Sequence, residues 1–438
     1  MNKKQILRSA KKVLSQNSRG DYTVPSTQLY PHQWLWDSCF IAIGLRHYDT
    51  KKARSELLSL RRGQWRNGMM PNIIFSEGKL NFDHEIWNSR VSRFAPKRVQ
   101  TSGITQPPLL AEAVYLVGEK LAPKVRKKFF KEMFDCVINF HQWLYLHRDP
   151  DENGLIALVH PYESGLDNSP VWLSVIRRLK FPWWVRLVRT KNLVQFINFF
   201  RRDTRRVPEK QRISLADAAE YFYIQQKLKK YKYEDKKNLV KSRSSLEEVA
   251  FNSLLIRSNK SLIKIAAELD YPLPRALIRQ MHRTEKSLEK LWDSNSEQYF
   301  SRTAHGKKLI KKSTITTFMP LYGGSITRAR AAKLLSRLKN PGQFNCAFPV
   351  PTVPLDAAGF NPNNFWQGPS WINTNWMIIK GLENYGYRQE ANELKARTIE
   401  MIQTGGFYEY FSPVDGAGKG ARNFSWSAAL TIDLLSSP

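Results

Sequence analysis

Apolar residues recur at helical spacing along most of the chain, and the stretches that carry this repeat are separated by long segments rich in Trp, Pro, Gly and Asn. The repeat predicts helices over 111–121, 125–146, 214–230, 245–269, 274–292, 328–338, 371–385, 388–402 and 424–435. A basic amphipathic stretch with Ile6, Leu7, Ala10, Val13 and Leu14 on one face reads as a first helix; a transit peptide is the rival reading. Strand signals are few. Residues 298–302 and 308–312, joined through Gly306, make one candidate hairpin. Ser244 and Glu247 have the spacing of a capping box before the helix at 245–269. The fold class expected is all-α.

The long segments are 22–37, 63–108, 155–172, 341–371 and 404–424. Loops of this length in a compact domain are usually functional. Here they recur between helices, and a toroid of helix pairs gathers such connections at one end, around a central pocket. By length, 438 residues suit two or three domains of ~150 residues each, or one large closed helical barrel. The reading adopted is a single domain over 1–438 with a basic, aromatic insertion at 173–243.

That insertion raises the question of charge. Lys and Arg number 69 against 38 acids, a net charge of +31. Such an excess attracts nucleic acid, anionic lipid or acidic small molecules without choosing among them. No zinc-finger spacing and no RNP-like aromatic motif accompanies it, so no specific nucleic acid partner is expected. Between Ile176 and Arg206, basic residues interleave with Phe181, Trp183, Trp184, Phe196, Phe199 and Phe200, with Asp203 as the one acid. Peripheral membrane contact is one reading; aromatics packed on the barrel beneath solvated charges is the other. Three widely spaced cysteines, Cys39, Cys136 and Cys346, fit neither a disulfide framework nor a Cys-rich zinc site and suit a reducing, cytoplasmic setting. His32, His84 and His160 show no metal-ligand spacing, and no metal or cofactor is expected.

The chemistry concentrates in a few segments. His160-Pro161-Tyr162-Glu163-Ser164-Gly165-Leu166-Asp167-Asn168-Ser169 and Phe407-Tyr408-Glu409-Tyr410-Phe411 each set carboxylates among aromatic, glycine and small polar residues. Two carboxylates facing each other across a pocket suffice for glycosidic bond hydrolysis. Sugars also need aromatic faces against their C–H surfaces and planar amides or carboxylates for adjacent hydroxyls. Trp36 beside Asp37, and Trp366 beside Gln367, supply both, and Tyr30-Pro31-His32-Gln33-Trp34 and Thr101-Ser102-Gly103-Ile104-Thr105-Gln106 add further groups. Each has a plainer reading. Asp167 suits a turn, Glu409 an exposed strand or loop, and Asp37 the cap of a helix beginning near Ser38. Trp34, Trp366 and Trp371 suit a core equally well.

Taken in order, Trp-Leu-Trp-Asp-Ser, Ser-Gly-Ile-Thr-Gln-Pro-Pro, Glu-Ser-Gly-Leu-Asp-Asn-Ser, Trp-Gln-Gly-Pro-Ser-Trp and Phe-Tyr-Glu-Tyr-Phe resemble glycoside hydrolase family 63, in its bacterial mannosylglycerate and glucosylglycerate hydrolase branch. The resemblance runs from about Tyr30 to about Ser427. It implies an (α/α)6 barrel and an inverting mechanism, with Asp167 as general acid and Glu409 as general base. It also implies sugar or aglycone contacts from Tyr30, Trp34, Trp36, Asp37, Gln106, Trp366, Gln367 and Trp371. Glu163 is the rival acid or a hydroxyl ligand. Asn72 departs from the pattern, where His is expected in much of the family.

The expected substrate is a small α-glucoside or α-mannoside, one with a glycerate aglycone included, whose carboxylate a basic pocket suits; Arg212, Arg422 and Lys419 are the candidate partners. An oligosaccharide α-glucosidase of the same family and a non-catalytic sugar-binding protein are the alternatives.

Overall fold

A computed structural model describes residues 2–76, 83–188 and 206–437. Phe196, Phe199, Phe200 and Asp203 of the basic segment lie outside the described residues.

Among the described residues, helical segments alternate between two concentric rings. The inner ring holds Leu35–Leu45, Leu110–Gly118, Val249–Glu268, Met319–Gly323 with the 3-10 turn Ile315–Phe318 before it, Ile372–Asn384 and Ser425–Ser436. Each packs on the next, and the last packs on the first, so the ring closes. The outer ring holds Lys3–Asn17, Thr50–Leu60, Pro123–Arg148, Arg275–Leu288, Arg328–Leu338 and Arg388–Gly405. The result is an (α/α)6 barrel.

Sequence decides which ring a helix joins. Outer helices carry one apolar stripe, as in Lys3–Asn17, which buries Ile6, Ala10, Val13 and Leu14 and is capped by reciprocal bonds between Asn2 and Gln5. Inner helices are enclosed on all sides; every residue of Leu35–Leu45 is buried. Where two inner helices touch most closely, only glycine fits. A Cβ on Gly44 would stand 2.4 Å from the Ala429 carbonyl oxygen. The closing contact is polar as well as apolar: Asn17 Nδ2 donates to the Asn423 carbonyl (2.7 Å) and to Ser425 Oγ (2.9 Å).

Several local expectations are corrected. Asp37 does not cap its helix, which begins at Leu35 after Trp34; Asp37 sits in the first turn. Ser244 and Glu247 form no capping box. Residues Leu246–Glu247 pair as a strand with Ala157–Leu158 and Arg302–Thr303, and the helix starts at Val249, capped by the Glu248 carboxylate on Phe251 N–H. The hairpin around Gly306 is shorter than expected: Thr303 N–H donates to the Lys308 carbonyl (3.0 Å) and Ile310 N–H to the Ser301 carbonyl (2.8 Å), while Gln298–Tyr299 pairs with Trp292–Asp293. The segment 404–424, read as a loop, holds the antiparallel strands Tyr408–Phe411 and Gly418–Arg422.

Candidate active site

The connections that lead from outer to inner helices end at one mouth of the barrel. Trp36 and Asp37 lie in the first turn of Leu35–Leu45, Trp371 immediately precedes Ile372–Asn384, and Phe424 immediately precedes Ser425–Ser436. A cavity opens there, lined by Pro25, Tyr30, Trp34, Trp36, Asp37, Gln106, Gly165, Asp167, Phe365, Trp366, Trp371, Glu409, Phe424 and Trp426. Nine residues singled out in the sequence therefore meet: Tyr30, Trp34, Trp36, Asp37, Gln106, Asp167, Trp366, Trp371 and Glu409.

Its aromatic wall is rigid. Trp366 and Trp371 stack with ring centres 3.7 Å apart and planes 5° apart, and Tyr410 continues the stack behind Trp371 at 4.7 Å. Trp36 meets Trp426 edge to face at 5.4 Å. Such an enclosure is largely apolar, and charge inside it is costly.

Three carboxylates share this space, and their surroundings separate them. Glu409, only 2% exposed, lies on the strand Tyr408–Phe411. Tyr30 OH donates to its Oε1 at 2.7 Å, Ala421 N–H donates to its Oε2 at 3.0 Å, and Arg212 Nη1 stands 3.5 Å from Oε2. Burial raises the Glu409 pKa, while the Arg212 charge, the Ala421 N–H and the Tyr30 hydroxyl oppose that rise. Arg212 also donates to Tyr30 OH at 2.6 Å. Gly420 makes room for this arrangement. It is in the left-handed region, and a Cβ there would stand 2.5 Å from Glu409 Oε2.

Asp167 has fewer compensations. Burial pushes its carboxyl up to about 7, the Arg212 charge opposes this and the Glu409 charge adds to it. Tyr221 OH holds the Asp167 backbone carbonyl at 2.8 Å. Asp37 is raised well above the usual carboxylate range, by burial first and then by Glu409. Burial raises all three carboxyls, and Glu409 is the one whose oxygens carry the donors that oppose the rise.

The loop carrying Asp167 is locked to the tryptophan wall by the next residue. Asn168 Nδ2 donates to Asn364 Oδ1 at 3.0 Å, and Trp366 N–H donates to Asn168 Oδ1 at 3.0 Å. Between those two partners Phe365 is in the left-handed region, φ 38°, a strained conformation for an aromatic residue. Trp371 Nε1 donates to its carbonyl at 3.0 Å. Replacing Asn168 by Ala releases both flanks of Phe365. Displacing the wall relative to the acid is expected to lower kcat by roughly a hundredfold while the far-ultraviolet circular dichroism stays unchanged.

Two expected contacts are elsewhere. Glu163 does not line the cavity. It is fully buried in an ion pair with Arg148 (2.7 and 3.0 Å), accepts the Val159 N–H at 2.7 Å, and shares Arg148 with Asp235. Its role is to anchor the Asp167 loop to the outer helix Pro123–Arg148. Changing Glu163 to Gln leaves Arg148 half-paired in a dry site, and an unfolding free energy lower by about 3–5 kcal/mol is expected in denaturant titration. Gln367 also lies outside the lining; its backbone closes a turn, donating to the Asn364 carbonyl at 2.7 Å and accepting the Asn361 N–H at 2.8 Å. The departing residue Asn72 is structural: it ties Leu35 N–H, the Ile104 carbonyl and Ser102 together beneath the site. Of the cations considered for an anionic aglycone, Arg212 sits against Tyr30, Glu409 and the face of Phe365. Arg422 lies over Tyr408 instead.

Phe365, Phe424 and Trp426 are lining residues that the sequence patterns do not single out. A signal exists: each is within two residues of a helix start or of an expected Trp. Arg212 is one of three candidate cations by sequence, because it arrives from the long insertion, where spacing carries no positional information.

Comparison with known proteins bears on this arrangement. Residues 30–427 match the profile of the mannosylglycerate hydrolase MGH1-like glycoside hydrolase domain. A mannosylglycerate hydrolase from Thermus thermophilus is 36% identical over 97% of this chain and 99% of its own length. A glucosylglycerate hydrolase from Mycolicibacterium hassiacum is 28% identical over 98% of both chains. The crystal structure of a family 63 mannosylglycerate hydrolase, also from Thermus thermophilus and in complex with Tris and D-glycerate, superposes with a TM-score of 0.89 at 34% identity, covering 98% of this chain and 99% of that one.

Proposed function

The chain belongs to the mannosylglycerate hydrolase MGH1-like glycoside hydrolase family, and from that premise we propose that it cleaves a small α-glycoside of glycerate with inversion, using Asp167 as general acid and Glu409 as general base. The observation that carries this reading is that Asp167 and Glu409 line one tryptophan-walled cavity in unlike electrostatic surroundings. A general acid works best with a pKa near the operating pH. Asp167, raised to about 7, meets that requirement. Asp37 instead serves as a hydroxyl ligand. Glu409, with three donors on its oxygens, is the group disposed to stay ionised and deprotonate water.

In the proposed cycle Asp167 protonates the leaving oxygen as the bond to the anomeric carbon lengthens. Glu409 takes a proton from a water on the opposite face of the ring, and the oxygen of that water bonds to the anomeric carbon. Trp36, Trp366 and Trp371 exclude solvent and cover the sugar's C–H faces. Arg212, already among the polar groups of the site, supplies the positive charge that suits a glycerate carboxylate.

Both mannosylglycerate and glucosylglycerate are candidates, since relatives named for each cover nearly the whole chain. Proton NMR of the reaction with both compounds tests the proposal. The expected first product from an α-glycoside is the β-anomer of the free sugar; turnover of neither compound would refute it.

The pH dependence has a definite sign. Asp167 acts only when protonated, so kcat/KM is expected to fall as pH rises through about 7. Glu409 acts only when ionised, so kcat/KM falls again on the acid side, at a pKa above the usual glutamate value. Initial rates across pH 4–9, roughly the span over which the two groups titrate, should trace a bell with a narrow top. A cytoplasmic setting accords with three cysteines that form no disulfide. Among the described residues no helix is long and apolar enough to cross a membrane.

A further inference from the structure

Outside the cavity, the most conspicuous unexplained surface belongs to the basic insertion. The short helix Trp183–Leu187 turns Trp183, 72% exposed, and Leu187, 45% exposed, to one side, four residues apart. Its other side is anchored. Val185 is buried, as is Phe181 just before the helix, and Phe181 meets Tyr223 at 5.6 Å. Trp184 lies against Phe222 and Tyr223 of the helix Leu215–Lys230 at 6.5 and 6.1 Å. Phe222 is itself 41% exposed. Exposed apolar side chains therefore lie on two neighbouring helices, which Trp184 links and buried residues hold in place.

Among the described residues, the charges of the segment carrying Trp183 have one sign. Arg177, Arg178, Lys180 and Arg186 are exposed, and no acid occurs between 176 and 188. Lys227, also exposed, lies over the Tyr223 ring at 4.7 Å. Folding alone gives no reason to hold a tryptophan and a leucine in water within a cationic rim. Two elementary effects act together on such a surface. Aromatic and aliphatic side chains partition into the headgroup region of a bilayer, and clustered cations are attracted to anionic lipid. We propose that this patch docks the protein on an anionic lipid surface, with Trp183 and Leu187 entering the interface and the arginines and lysines contacting phosphate headgroups.

Leu187 favours lipid over nucleic acid, because an aliphatic side chain offers no face on which a base stacks. None of the patch residues lines the cavity. Phe222 is adjacent to Tyr221, which holds the Asp167 carbonyl, so the patch flanks the site without entering it. Docking therefore places the enzyme at a surface while leaving the cavity free.

The full chain should co-float with vesicles of phosphatidylcholine and phosphatidylglycerol, and not with phosphatidylcholine alone, in about 0.1 M salt. The double variant Trp183→Ser with Leu187→Ser should float with an apparent affinity reduced roughly tenfold or more, while hydrolysis of a soluble substrate is unchanged. Because both side chains are solvent-exposed, the variant retains its fold, which the unchanged hydrolysis verifies. The proposal is overturned if the wild-type chain does not float with anionic vesicles, or if the double variant floats as well as wild type. It is overturned in favour of nucleic acid if a short mixed-sequence RNA binds through these two residues and anionic vesicles do not.

Discussion

Replacing Asp167 by Asn is expected to lower kcat by about 10²–10⁴-fold with little change in KM. The substitution is nearly isosteric, so the cavity keeps its shape, but an amide cannot deliver a proton to the leaving oxygen. The deficit should depend on the leaving group. An aryl glycoside whose phenolate departs without protonation should be hydrolysed by the variant at close to the wild-type rate, whereas a glycerate glycoside should not. The alkaline limb near pH 7 should vanish with the carboxyl that causes it. If that limb survives and both substrates suffer equally, the acid is another group, and Asp37 is the next candidate in the same cavity. Steady-state rates on the two substrates, with affinity measured calorimetrically, decide the matter.

The change of Glu409 to Gln should be equally severe and different in kind. A base that activates water acts on the nucleophile, so natural and activated substrates should lose rate together, again by about 10²–10⁴-fold. Binding should persist, because the amide oxygen still accepts the Ala421 N–H while its NH2 donates to the Tyr30 hydroxyl oxygen. The wild-type enzyme should show no burst of leaving group before steady state. A burst, together with an α-sugar as first product, would mean that Glu409 attacks the anomeric carbon directly, and the inverting assignment would fall. Stopped-flow release of a chromogenic phenol and NMR of the first turnover separate the two outcomes.

How much of this is legible in the sequence depends on what each residue touches. Outer helices are readable because one side faces water: Arg328–Leu338 has the bounds that its repeat alone predicts. Four inner helices are readable as well, at 111–121, 245–269, 371–385 and 424–435, but two are not. Leu35–Leu45 has no polar face to generate a period, and only its onset is suggested, near Ser38. Met319–Gly323 is too short to show one. The site is legible where a Trp adjoins a polar group, because such pairing has little use in a core. The same rule singles out Gln367, whose neighbour Trp366 lines the cavity while its own backbone closes a turn. Glu163 fails for a different reason. Its partner Arg148 ends a helix fifteen positions earlier, and nothing in local spacing announces a buried ion pair. Arg212 is legible only as one of three candidate cations, since spacing does not show that it meets Tyr30 and Glu409.

The way the barrel closes has a mechanical consequence. The seam is the junction of the first and last helices, where Asn17 grips Asn423 and Ser425. Tyr30 lies on one bank and Glu409 on the other, and the hydroxyl that steadies the carboxylate spans the join. Breathing at this seam on warming would part the two before either ring of helices loosens elsewhere, so catalysis should fade at a lower temperature than helicity.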